Sequence, residues 1–191
     1  MTHVLTLVGS LRAESINRKL AEAAEHHAPE GIELTTFDGI VDLPFYNEDI
    51  DGDAPPASAV AFRAAIDAAD ALLLITPEYN GTIPAVLKNA LDWASRPFGA
   101  SPISGKPLAV IGSAFGQYGG VWAHDDARKA AGIAGAKVLQ DVKVAIPQSV
   151  VRFAETHPRE DAEVTQLVQG ALTALAEAAS GAESESESVA A

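Results

Sequence analysis

Two short stretches of the chain bring together residue types that can do chemistry. The first, Gly9-Ser10-Leu11-Arg12-Ala13-Glu14-Ser15-Ile16-Asn17, offers hydroxyls at Ser10 and Ser15, a guanidinium at Arg12 and an amide at Asn17. If a helix opens at its end, the free N–H groups of the first turn join that set, and together they suit a phosphate. Helix N-termini favour anions, and hydroxyls donate to phosphate oxygens. Arg12 adds a charge-assisted contact. A plainer reading is that Ser15 merely caps the helix, as serine often does, and spacing alone does not separate the two. Other phosphate loops are excluded, because the chain has neither GxxxxGK[ST] nor GxGxxG.

The second stretch, Thr76-Pro77-Glu78-Tyr79-Asn80-Gly81-Thr82-Ile83-Pro84, is stiffened by two prolines and relaxed at Gly81. It can present an edge of backbone N–H groups to a planar ring while Tyr79 covers part of the ring's face. An ordinary strand-to-helix turn is the alternative. A phosphoacceptor carboxylate is missing here, where Thr76-Pro77 stands, and a chain without cysteine has no phosphatase-type thiolate.

The elements that must position these stretches alternate between strand and helix. Apolar runs predict strands over 4–8, 32–37, 71–75, 108–111 and 138–144. Amphipathic or capped segments predict helices over 17–27, 57–69, 84–95, 121–131 and 161–179, with Pro84 in a first turn. In the second helix Val60, Ala64 and Ile66 are expected inward. This order implies an α/β domain with a parallel sheet and helices on both faces. Ligands of such sheets sit beyond the carboxyl ends of the strands, where both stretches fall.

Composition bounds the rest. The 191 residues fit one domain, expected over 1–180, followed by an acidic disordered tail over 181–191 (GAESESESVAA). A net charge of −13 argues against nucleic acid or an anionic membrane as partner. The absence of cysteine removes disulfides, thiolate metal sites and cysteine nucleophiles, and it fits a reducing compartment. The first residues lack the features of a signal peptide, and no apolar run reaches the roughly 20 residues of a membrane span. A cytoplasmic protein is expected.

Four segments carry a resemblance: GSLRAESIN, LPFYNEDID, TPEYNGTIPAVLKNALDWASRP and GSAFGQYGG. In this order they resemble the NADPH-dependent FMN reductase family, which includes chromate- and quinone-reducing flavoproteins and related azoreductases. The resemblance implies a flavodoxin-like, doubly wound, five-stranded sheet in the order 2-1-3-4-5. It implies FMN as cofactor, NADPH or NADH as donor, and a small acceptor such as a quinone, azo compound, chromate-like oxyanion or free flavin. By the same resemblance Ser10, Arg12, Ser15, Ile16 and Asn17 hold the FMN phosphate. Pro77, Glu78, Tyr79, Asn80 and Gly81 embrace the isoalloxazine and ribityl chain, and Ser113 makes a third contact. It also implies a homodimer or homotetramer built on the helix around Leu87 to Trp93. The flavin carries the ping-pong hydride chemistry, so no catalytic side chain is assigned.

Other conspicuous residues read more plainly. His124 with Asp125 and Asp126 reads as a solvated helix start, and His26 and His27 as residues near a helix end. Pro44 to Asp49 reads as a loop near the site rim. Ser10 or Ser113 as a hydrolase nucleophile lacks GxSxG and a spaced His/Asp partner. A FMN-binding electron carrier, or redox sensor, without pyridine-nucleotide turnover is the competing function. Arg63 and Arg96 are the candidates for a 2′-phosphate contact.

Overall fold

Side-chain alternation along the strands explains the layering. β1 (Thr2–Val8) sends Leu5 and Leu7 to one face and Val4 and Val8 to the other. β3 (Ala71–Ile75), buried at every residue, divides Leu72 and Leu74 from Leu73 and Ile75 in the same way. β4 (Pro107–Ser113) follows suit with Leu108 and Val110 against Ala109 and Ile111. A sheet apolar on both faces needs helices on both.

The computed structural model describes residues 1–189, with the side chains of residues 1–181. β2 (Ile32–Thr36) and β5 (Lys137–Ile146) complete a wholly parallel sheet in the order β2-β1-β3-β4-β5. One face is covered by α2 (Ala57–Ala68), α3 (Ala85–Ala94) and α4 (Val121–Ile133). The other is covered by α1 (Ile16–His26) and α6 (Ala162–Val189). A four-residue helix, α5 (Ser149–Arg152), follows β5 and has no counterpart in the sequence reading. This is the flavodoxin-like order expected above. No helix among the described residues is long and apolar enough to cross a membrane.

Two expectations need correcting. The inward residues of α2 are Ala59, Phe62 and Ile66, while Val60 and Ala64 are exposed, because the stripe starts one residue earlier than supposed. Full burial of Phe62 alone is worth roughly 1.5–3 kcal/mol. Pro84 precedes α3 as its extended capping residue, so it does not lie in the first turn. α6 runs on to Val189, and the expected boundary at Gly181 brings no break in it. Residues 190 and 191 of the expected disordered tail lie outside the described residues.

Candidate functional site

The loops after β1, β3 and β4 meet at the carboxyl end of the sheet and are tied to one another. Gly9 N–H donates to the Ile75 carbonyl at 2.8 Å, joining the roots of the first two loops. A Cβ on Gly9 would approach Thr76 Oγ1 to 3.1 Å and Leu87 Cδ2 to 3.2 Å, so glycine permits this close approach. The Asn17 side chain accepts from Ser113 N–H at 2.9 Å and donates to the Ser113 carbonyl at 3.0 Å. Glu78 Oε2 accepts from Trp122 N–H at 3.1 Å and Ala123 N–H at 3.2 Å, which joins the β3 loop to the start of α4.

In the first loop Ser15 leads into α1. It is the residue before α1, with extended backbone, yet its side chain makes no capping hydrogen bond. Among the described residues the hydroxyls of Ser10 and Ser15 and the N–H groups of Ile16, Asn17 and Arg18 take no partner. Both serines are nearly buried, at 4% and 3% exposure. Donors of this kind, aligned with the positive end of a helix, form an anion cradle. Arg12 is exposed and touches only the Glu14 carbonyl, at 3.3 Å, so its guanidinium is available to the cradle. Ile16 turns its side chain into the core under α1 and offers the cradle only its backbone.

The second loop ends in a tight turn. Tyr79 N–H bonds to the Thr82 carbonyl at 3.0 Å, and Thr82 N–H returns the bond to Tyr79 at 3.1 Å. Between them Asn80 and Gly81 both take positive φ, 53° and 77°, the geometry for which Asn-Gly is favoured. The N–H groups of Asn80 and Gly81 take no partner among the described residues, and Tyr79 beside them is half exposed. Pro77 and Glu78 are partly buried at the root.

The third loop closes the rim. Ser113 is buried at the end of β4, and its Oγ has no partner. Beyond it Phe115, Tyr118 and Trp122 are exposed, and Tyr118 leans on Trp122 with ring centres 5.4 Å apart. With Leu11 and Tyr79, half exposed on the other two loops, they give this end of the sheet an apolar rim.

His124 departs from its sequence reading. Asp125 and Asp126 are exposed, but His124 is 1% exposed, beneath the root of the β3 loop. Burial pushes its imidazole down to about 4, and the Arg128 guanidinium adds to the effect against the Thr76 carbonyl and Asp125. The clue available in sequence was the glycine at 112, where a side chain would collide with both Thr76 and His124.

The rim segment and the arginines singled out by sequence are engaged with the scaffold. The loop from Leu43 to Tyr46 is held on α3, with Asn89 Nδ2 donating to Pro44 O at 2.9 Å and Trp93 Nε1 at 2.7 Å. Trp93 is fully buried and carries Tyr46 edge-on. Arg63 forks onto the Asp51 carboxylate with two 2.7 Å bonds and donates to Trp93 O, so it is not free for a 2′-phosphate. Arg96 lies over the Tyr46 ring. A cavity of about 990 Å³ between α3 and α4 reaches the second loop at Thr82 and Ile83 and is flanked by exposed Phe98 and Ile133.

The sequence model of the NADPH-dependent FMN reductase family matches residues 2–150. A quinone reductase of Pseudomonas putida is 48% identical over 126 residues, 66% of this chain and 67% of that protein. An NAD(P)H-dependent FMN reductase of Pseudomonas aeruginosa is 38% identical over 172 residues, 90% of this chain and 92% of that one. Among solved structures, FerB, a flavoenzyme NAD(P)H:(acceptor) oxidoreductase of Paracoccus denitrificans, superposes with a TM-score of 0.83. It shares 33% identity, covering 95% of this chain and 98% of its own.

Proposed function

The chain belongs to the NADPH-dependent FMN reductase family, and from that premise we propose that it reduces quinones with NAD(P)H, donor and acceptor reacting in turn. Membership carries with it the oxidoreductase activity, FMN as cofactor and NAD(P)H as donor. The residues present fit FMN. The observation that carries the reading is the uncapped start of α1, where two nearly buried hydroxyls and the first-turn N–H groups take no protein partner. That is a site built for a phosphate.

FMN, when bound, supplies the hydride and electron transfer. The chain binds and orients. Ser10, Ser15, Arg12 and the backbone of Ile16 and Asn17 hold the phosphate. The free N–H groups of Asn80 and Gly81 would donate to the edge of the ring system, where preorganised donors stabilise developing negative charge. Tyr79 covers part of the ring's face. Glu78 contributes by clamping this loop to α4, and Asn17 by fixing α1 to β4.

The apolar rim of Leu11, Tyr79, Tyr118 and Trp122 suits a flat acceptor, which favours a quinone over a small oxyanion. The groove between α3 and α4, with exposed Phe98 and Ile133, supports a homo-oligomer, and the protein is proposed to be cytoplasmic. Steady-state rates with a benzoquinone at several NADPH concentrations test the reading. Parallel double-reciprocal lines are expected. Intersecting lines contradict the alternating order, and bound FMN without NAD(P)H oxidation points to an electron carrier.

A further inference from the structure

α4 is the pedestal on which the β3 loop rests. Its first turn is gripped by the Glu78 carboxylate at the N–H groups of Trp122 and Ala123. One turn on, Asp126 Oδ2 accepts from the Thr82 hydroxyl at 2.6 Å. Between these two contacts His124 projects under the loop's root. Its Nε2 is buried and has no hydrogen-bond partner.

The space around that nitrogen is closely defined. A Cβ on Gly112 would lie 2.7 Å from His124 Nε2 and 2.1 Å from the Thr76 carbonyl oxygen. The two polar atoms therefore flank the same point, and glycine at 112 leaves it open. The Thr76 carbonyl already acts on the imidazole, yet Nε2 lacks the geometry of a hydrogen bond, and leaving a buried donor unpaired costs roughly 1–3 kcal/mol. The acceptor flanking that point is the carbonyl of Thr76, the first residue of the loop that would bind the ring.

We propose that His124 is the positioning residue of this loop, donating Nε2–H to the Thr76 carbonyl when the loop settles on bound FMN. The inference rests on the reading of the β3 loop as the ring-binding segment. The imidazole acts as a fixed neutral donor, a role that its burial beneath the loop enforces. Glu78, Thr82 and His124 then set the loop's height at three points. His124 alone acts on its root.

The test uses FMN titration of the apoprotein, followed by quenching of flavin fluorescence, on the wild type, His124→Gln and His124→Leu, with thermal unfolding of each apo form. Glutamine keeps a donor at similar reach; leucine fills the space without one. The expected result is near-wild-type FMN affinity for His124→Gln. His124→Leu is expected to bind about three- to tenfold more weakly, the worth of one hydrogen bond, with its apo form unfolding no earlier than that of His124→Gln. Equal losses in the two variants, or undiminished affinity in His124→Leu, overturn the proposal. His124→Met replaces the leucine variant if that fails to fold. A wild-type chain that takes up no FMN instead overturns the functional reading itself, and this inference with it.

Discussion

The side-chain amide of Asn17 is locked onto the backbone of Ser113, 96 residues away, accepting at 2.9 Å and donating at 3.0 Å. Both residues are buried, and the pair makes the first turn of α1 and the end of β4 one unit. Asn17→Ala removes both bonds and strands the Ser113 N–H and carbonyl. It should cost about 2 kcal/mol of apo stability and weaken FMN binding at the same time. Urea unfolding and FMN titration check this, and an unaltered urea midpoint contradicts it.

Arg12 presents the opposite case. It is exposed and bonded only to the Glu14 carbonyl. Arg12→Ala should leave the thermal midpoint in place while weakening FMN binding by about tenfold, as expected for a charge-assisted phosphate contact. Riboflavin, which lacks the phosphate, should bind the two proteins alike. A variant that binds FMN as the wild type does removes Arg12 from the cradle.

Arg63 separates scaffold from site. Its side chain and that of Asp51 are 16% and 8% exposed, and the guanidinium also stacks 5.2 Å from the centre of the Trp93 ring. Arg63→Ala should destabilise the fold by about 1–3 kcal/mol. The NADPH-to-NADH preference should stay where it is. A selective loss of NADPH turnover in steady-state assays would restore Arg63 as a 2′-phosphate ligand.

The depressed His124 imidazole makes stability depend on pH. Its ordinary value is 6.5, and in the fold it is held at about 4 by burial first and by Arg128 second. Between these values the unfolded chain binds a proton that the folded one refuses. The contribution is therefore complete above pH 6.5 and is lost as pH falls toward 4, a change on the order of 3 kcal/mol. Asp51, whose carboxyl the Arg63 hydrogen bond holds below 3.8, adds its loss only at lower pH. Urea midpoints measured from pH 7 to 4 should fall steeply for the wild type and more gently for His124→Gln. Identical slopes would show that His124 titrates normally.

The fold was legible because parallel strands buried on both faces leave unmistakable apolar runs, ALLLI at 71–75 above all. α2 was legible in extent but not in facing: with alanines on every side, Phe62 was needed to fix the stripe, and a pattern built on Val60 missed it. The two loops that carry the site were visible in their residue types. Their internal wiring was not. Nothing local marks that Glu78 serves α4, since its partners lie 44 and 45 residues away. His124 was misread for a related reason, because two adjacent aspartates suggest solvent while helical rotation turns the histidine inward.

The central claim is that this sheet end holds FMN and that NAD(P)H reduces it there. The direct measurement is the absorption spectrum of the purified protein with equimolar FMN, recorded anaerobically before and after addition of NADPH or NADH. The account predicts protein-bound flavin bands that bleach on addition of the donor and return with a quinone. Bands that stay oxidised with both donors, or FMN that does not bind at all, would contradict it.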